Sequence, residues 1–377
     1  GTYQPSTGAS SCINAGKGHY VDSSAATSQI QCNAGTYNPN TGSTSIAACL
    51  NASAGHYVSS PGQSSESSCL AGRYQPNAGA TACLISSAGY HVPQSGSSTQ
   101  TPCAAGKYQP NQGQSSCLST NSGYYTANTG NAAQRPCPAG KYQPLTGQTS
   151  CLDTDAGHYT NAPASSSQIP CDTGTYQGAT GQAFCLSADL GHFGSGTGSI
   201  TQDMCGAGTY QDQTGQSSCK DAEAGTYVDQ QGQSSPTLCA AGTYQPNAGQ
   251  TGCVDASEGN FVPTSGQESQ TLCEPGTYQN QTAQTSCNNA SPGHYVGTYG
   301  STIQTVCPIG SYQSSPGSVG CIDSEPGYFV DVEGQSTQKP CIEGTYQPNQ
   351  NSTTCIVASE GHYVPITAQT SQTACPS

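Results

Sequence analysis

The chain has 377 residues, a net charge of −14 with only seven Lys and Arg, no Trp, 47 Gly, 24 Pro and 22 Cys. So little large apolar side chain cannot fill ordinary globular cores, and the shortage of cations disfavours nucleic acid and anionic membranes as partners. Regularly spaced cysteines in even number point to cross-links in place of a core and to an extracellular or cell-surface compartment, and no apolar run approaches the length of a membrane span.

From the first residue, "GTYQPSTGASSC" sets a pattern that recurs to the end. The cysteines stand at 12, 32, 49, 69, 83, 103, 117, 137, 151, 171, 185, 205, 219, 239, 253, 273, 287, 307, 321, 341, 355 and 375. Their gaps alternate 20 and 14, with one gap of 17 between Cys32 and Cys49. The period is therefore 34 residues, with one three-residue insertion. Eleven repeats follow: 1–34, 35–71 (with the insertion), 72–105, 106–139, 140–173, 174–207, 208–241, 242–275, 276–309, 310–343 and 344–377. No leader precedes "GTYQP", so the sequence reads as processed, or as a segment of a longer chain.

Each repeat divides again. Half A opens Gly-x-Tyr, as at Gly1–Tyr3, and half B opens Gly-x-aromatic seventeen residues on, as at Gly18–Tyr20. Seven residues after the leading Gly comes a turn residue, Gly except at Ala25, Ala164, Ala283, Asn351 and Ala368. A short extended run, turn chemistry such as "PNQG" and a returning run predict a β-hairpin in every half, with no helix. The predicted fold is a set of small disulfide-rich β repeats, an elongated tandem array of short hairpins with no single core.

Two regular pairings satisfy the spacing. Bonds across the 20-residue gaps would use all 22 cysteines; bonds across the 14-residue gaps would leave Cys12 and Cys375 single. Comparing the halves favours the second. Half A has Cys three residues before its leading Gly and eleven after it, as Cys103 and Cys117 around Gly106, and half B lacks both together. The reading is thus Cys32 with Cys49, Cys69 with Cys83, Cys103 with Cys117, Cys137 with Cys151, Cys171 with Cys185, Cys205 with Cys219, Cys239 with Cys253, Cys273 with Cys287, Cys307 with Cys321, and Cys341 with Cys355. Each such loop should stabilise by roughly 3 kcal/mol in the chain-entropy model. Cys12 and Cys375 are then expected to bond beyond this stretch, in a longer chain or head to tail between copies.

The phrase "CxxGxYxPxxGxxSC" resembles the ephrin-receptor-like cysteine-rich repeat, related in look to the first submodule of tumour-necrosis-factor-receptor repeats. The resemblance covers essentially the whole chain. It implies an extracellular tandem array, and it implies the bond between Cys103 and Cys117 and its equivalents. Half B departs from it in lacking the cysteine pair, and the second layer of receptor-type disulfides is missing.

The recurring rings, from Tyr3, Tyr20 and Tyr37 to Tyr346 and Tyr363, read as a buried packing ladder, with a sugar- or peptide-binding stripe as the alternative. The histidines sit beside them: His19, His56, His158, His192, His294 and His362 in Gly-His-aromatic, and His91 in "GYH". They lie a unit or more apart with no Cys, Asp or Glu at ligand spacing, so no metal is expected, and "DTDAG" at 153–157 lacks the later ligands of a calcium loop. No cofactor and no catalytic dyad is expected, and an enzyme is not the reading. Ser43–Ala47 and Phe193–Ser199 read as loop variation. Four sequons, at Asn51, Asn280, Asn289 and Asn351, are candidate sites for covalent glycans. The expectation is a structural extracellular repeat protein that partners itself, a stalk or filament subunit; a multivalent adhesion protein is the alternative.

Overall fold

The computed structural model describes residues 1–377 as two compact units. The first comprises Gly1–Asp172, Tyr176–Leu186 and Thr197–Thr201, and the second Thr173–Thr175, Ser187–Gly196 and Gln202–Ser377. Both are built from one element. There are twenty-two two-stranded antiparallel sheets, each strand two residues long, and the only helical residues are a single 3-10 turn at Ile46–Ala48. That turn absorbs most of the insertion: Cys32–Cys49 spans 17 residues, yet its Cα separation of 5.6 Å matches the bridges that span 14. Counting the leading Gly as position 1, the strands occupy positions 2–3 and 13–14. Lys107 faces Ser119 and Tyr108 faces Leu118 in a half A; Tyr124 faces Pro136 and Tyr125 faces Arg135 in a half B.

Strands so short cannot stand alone. What holds them is a backbone ladder between halves, repeated within each unit. Position 1 donates to the position 4 carbonyl of the next half, as Gly242 N to Val262 O at 2.9 Å. Position 4 donates to position 9 of the next half, as Gln245 N to Gln267 O at 3.1 Å. Position 8 donates back to position 15 of the half two earlier, as Gly266 N to Cys239 O at 2.8 Å. Each hairpin is therefore bonded to the next and to the next but one.

The same geometry fixes the glycines. At position 1 of Gly259, with φ +76°, a Cβ would lie 2.2 Å from the carbonyl oxygen of Gly300, the turn residue two halves on. Backbone cannot yield that space, and all 22 leading positions are Gly. The turn residue also has positive φ, but an added Cβ there would meet at most a neighbouring side chain, as Leu272 at Gly300, and not backbone, so the conformation is its first requirement. Ala25, Ala164, Ala283, Asn351 and Ala368 adopt it at φ 54° to 62°.

The buried side chains are small or polar. Position 4 of half B carries Val92, Val262 and Val330, fully buried, and position 15 carries buried Ala, Ser, Thr or Cys. Position 4 of half A is, except for half-buried Gln4 and for Asn38, a buried Gln that clamps its own turn. Gln109 Nε2 donates to Ser116 O at 2.8 Å while its Oε1 accepts from Asn111 N at 3.1 Å, and Gln211, Gln245 and Gln279 do the same. No buried side-chain nitrogen or oxygen lacks a partner. The tyrosine ladder is not the core: only Tyr20 is buried, and the other rings at position 3 are half-buried or, at Tyr363, exposed. Successive strand residues face opposite ways, so position 4 turns inward and position 3 outward. At Phe193–Gly194, part of a stretch read as loop, Phe193 is a strand residue facing Asp203, and Gly194 stands where other halves bury Val or Thr.

Candidate functional site

The chemistry of this chain is concentrated at the junctions between halves. Ten disulfides join position 15 of each half B to position 12 of the following half A, from Cys32–Cys49 to Cys341–Cys355, with Cα separations of 5.6–5.8 Å. That span suits an unstrained bridge. The position 15 cysteine is buried in every case. Cys12 and Cys375 are free and exposed. Cys12 opens onto a recess of ≈ 660 Å³ shared with Tyr3, Gln4, Val21, Asp22 and Thr44.

Half B is not left unpinned. Its position 12 is a Gln in nine of eleven copies, whose Oε1 accepts the backbone N–H two residues before the leading Gly. Gln134 thus accepts from Asn121 N at 2.8 Å and Gln304 from Ser291 N at 2.7 Å. Glu66 makes the same contact with Ser53 N at 2.6 Å, and Pro236 stands in the eleventh copy. The half B junction is closed by a hydrogen bond where half A uses a disulfide. The recurrence of Gln at the vacated cysteine position was the signal for it.

Six histidines share one posture. At position 2, Nδ1 approaches the carbonyl two residues back: Lys17 for His19, Ala54 for His56, Ala156 for His158, Leu190 for His192, Pro292 for His294 and Glu360 for His362, at 2.9–3.4 Å. His56 also lies 3.8 Å from Glu66. His91 is different. It occupies position 3, where its Nδ1 lies 3.1 Å from Thr101 O and 3.2 Å from the sulfur of Cys117. His91, Cys103 and Cys117 place their donor atoms within 4.8 Å of one another. Spacing along the chain could not show this, because the register of neighbouring halves makes the contact. The "DTDAG" aspartates are engaged with protein partners: Asp153 with Lys141 at 2.6 Å and Asp155 with Gln168.

The four sequon asparagines are all exposed. Asn280 is the least encumbered. Asn351 lies at a turn with φ 54°, its amide oxygen against Gly310. On half A, except opposite Tyr210 and Tyr278, the outward ring at position 3 faces an aliphatic residue at position 13, as Tyr3 with Ile13, Tyr108 with Leu118 and Tyr312 with Ile322, and these aliphatic side chains are 47–48% exposed. No helix is long and apolar enough to cross a membrane.

No protein-family model matches the chain, and no curated protein shows significant similarity to it.

Proposed function

We propose that this chain is a structural extracellular protein, a stalk or the subunit of a surface filament, glycosylated and joined in register to further repeats. The observation that carries this reading is the ladder itself, repeated in each unit: one backbone pattern links every half to its neighbours, with the leading glycine, as Gly259, set against the turn two halves on. Repetition without one special place also fits load-bearing better than catalysis, and the resemblance to ephrin-receptor-like repeats supports an extracellular setting.

Non-reducing against reducing gels of the native protein, with electron microscopy, test the reading. It expects fibres of uniform width that shorten on reduction. Monomers with two free thiols and no fibres would overturn it. A second reading, multivalent adhesion, draws on the pairs of a half-buried Tyr with an exposed aliphatic side chain that recur on half A. Reproducible binding on a glycan array, lost when Leu118 and Leu152 are replaced by Ser, would favour it.

A further inference from the structure

Ten bridges of nearly identical setting should respond alike to a reductant. One has a different neighbour. Position 3 of each half B lies in register with the bridge to the following half; Tyr57 and Cys83, for instance, line one recess. The residues there are Tyr20, Tyr57, Tyr125, Tyr159, Tyr227 and Tyr295, with Phe at 193, 261 and 329, and His91 in the remaining copy. The single imidazole is thus set against Cys103–Cys117. Both of its Nδ1 neighbours, Thr101 O and Cys117 Sγ, accept hydrogen bonds, so Nδ1 carries the proton and aims it between carbonyl and sulfur.

We propose that Cys103–Cys117 is the one redox-addressable bridge of the array, opened by small-molecule or protein dithiols while the other nine stay closed. The attacking thiolate bonds to Cys117 Sγ, the partly exposed sulfur, and the S–S bond breaks with its electron pair leaving on buried Cys103, which takes a proton. The reductant's second thiolate then attacks its own sulfur in the mixed disulfide and expels Cys117 as a thiolate beside the His91 N–H. The dithiol ends as a disulfide and the protein as the Cys103 thiol and the Cys117 thiolate, one of the dithiol's two protons passing to Cys103 and the other to solvent. A thiolate next to an imidazole N–H is favoured over one beside a phenol ring or a benzene ring, and stabilising the reduced pair raises its tendency to be reduced. Opening this bridge removes the cross-link between two halves in the third and fourth repeats and exposes a nucleophile there.

The test equilibrates the full chain in dithiothreitol redox buffers of stepped potential. Free thiols are alkylated and each bridge is quantified by peptide mass spectrometry, with Cys239–Cys253, which lies by Tyr227, as the internal reference. The expected result is a Cys103–Cys117 equilibrium constant for reduction about tenfold above the reference, about 30 mV. His91→Tyr, which restores the residue of the sibling halves, should erase the difference. His91→Leu separates the imidazole from a merely looser cover over the bridge, and should erase it too. Equal reduction of all ten bridges in the unsubstituted protein, or a His91→Leu variant as reducible as His91, would overturn the proposal.

Discussion

At the residue scale, two glycines with the same backbone conformation have different reasons to be there, and they should respond differently to a methyl group. At position 1 the methyl would meet a backbone carbonyl; at the position 8 turn of Gly8 it would meet only the strain of positive φ. Gly259→Ala should cost roughly 3 kcal/mol or more, whereas Gly8→Ala, at a turn with φ +78° and open space around it, should cost about 1 kcal/mol. Urea melts of the two variants check the order. The buried Gln of half A is the other decisive residue. Gln211→Ala strands the carbonyl of Ser218 and the N–H of Gln213, for a local loss of about 2 kcal/mol. Amide exchange confined to the half beginning at Gly208 should report it. Surface ions add a pH dependence. Hydrogen bonds from Lys220 and Lys339 hold the carboxyls of Asp212 and Asp331 below the usual carboxylate range. A lowered folded value means that the stabilisation is complete above the ordinary carboxylate pKa and lost as pH falls through the folded one. Carboxyl NMR titration should show the lowering at Asp212 lose its largest cause and shrink in Lys220→Met.

At the element scale, each hairpin is too short to fold alone, and its two flavours are alternative ways of closing one junction. Half A uses a disulfide across it; half B sets a Gln side chain on a backbone N–H. The positions are equivalent, so the closures should be exchangeable. Ala290→Cys with Gln304→Cys should form an eleventh bridge and raise the thermal midpoint. Intact mass before and after alkylation counts the bridges, and two free thiols in the double variant would show that the half B junction has a different geometry. The hairpins, their turns and the 34-residue period were legible in the sequence because turn chemistry and cysteine spacing are local signals. The core was not. Tyr108 looked like the buried residue because it is large and recurs, yet its neighbour Gln109 is the one enclosed. A polar side chain announces itself as core only when both of its hydrogen-bond partners are in view. His91 escaped for a related reason: its sulfur neighbour lies 26 residues away, and only the stacking of halves brings them to 3.2 Å.

At the scale of the whole molecule, cohesion comes from repetition of a three-rung backbone ladder and ten cross-links, with no single core to lose. Stability is then a sum over neighbours, and local damage stays local. The alternation that pairs the other twenty cysteines leaves Cys12 and Cys375 free and exposed. The most direct test is a disulfide map of the native protein digested without reduction. The account predicts ten peptides of the Cys103–Cys117 kind, with neither Cys12 nor Cys375 in any of them. Bridges across the 20-residue gaps, Cys117 to Cys137 and Cys12 to Cys32 among them, would contradict it, since that pairing uses all 22 cysteines within the chain and leaves no thiol to join one copy to the next.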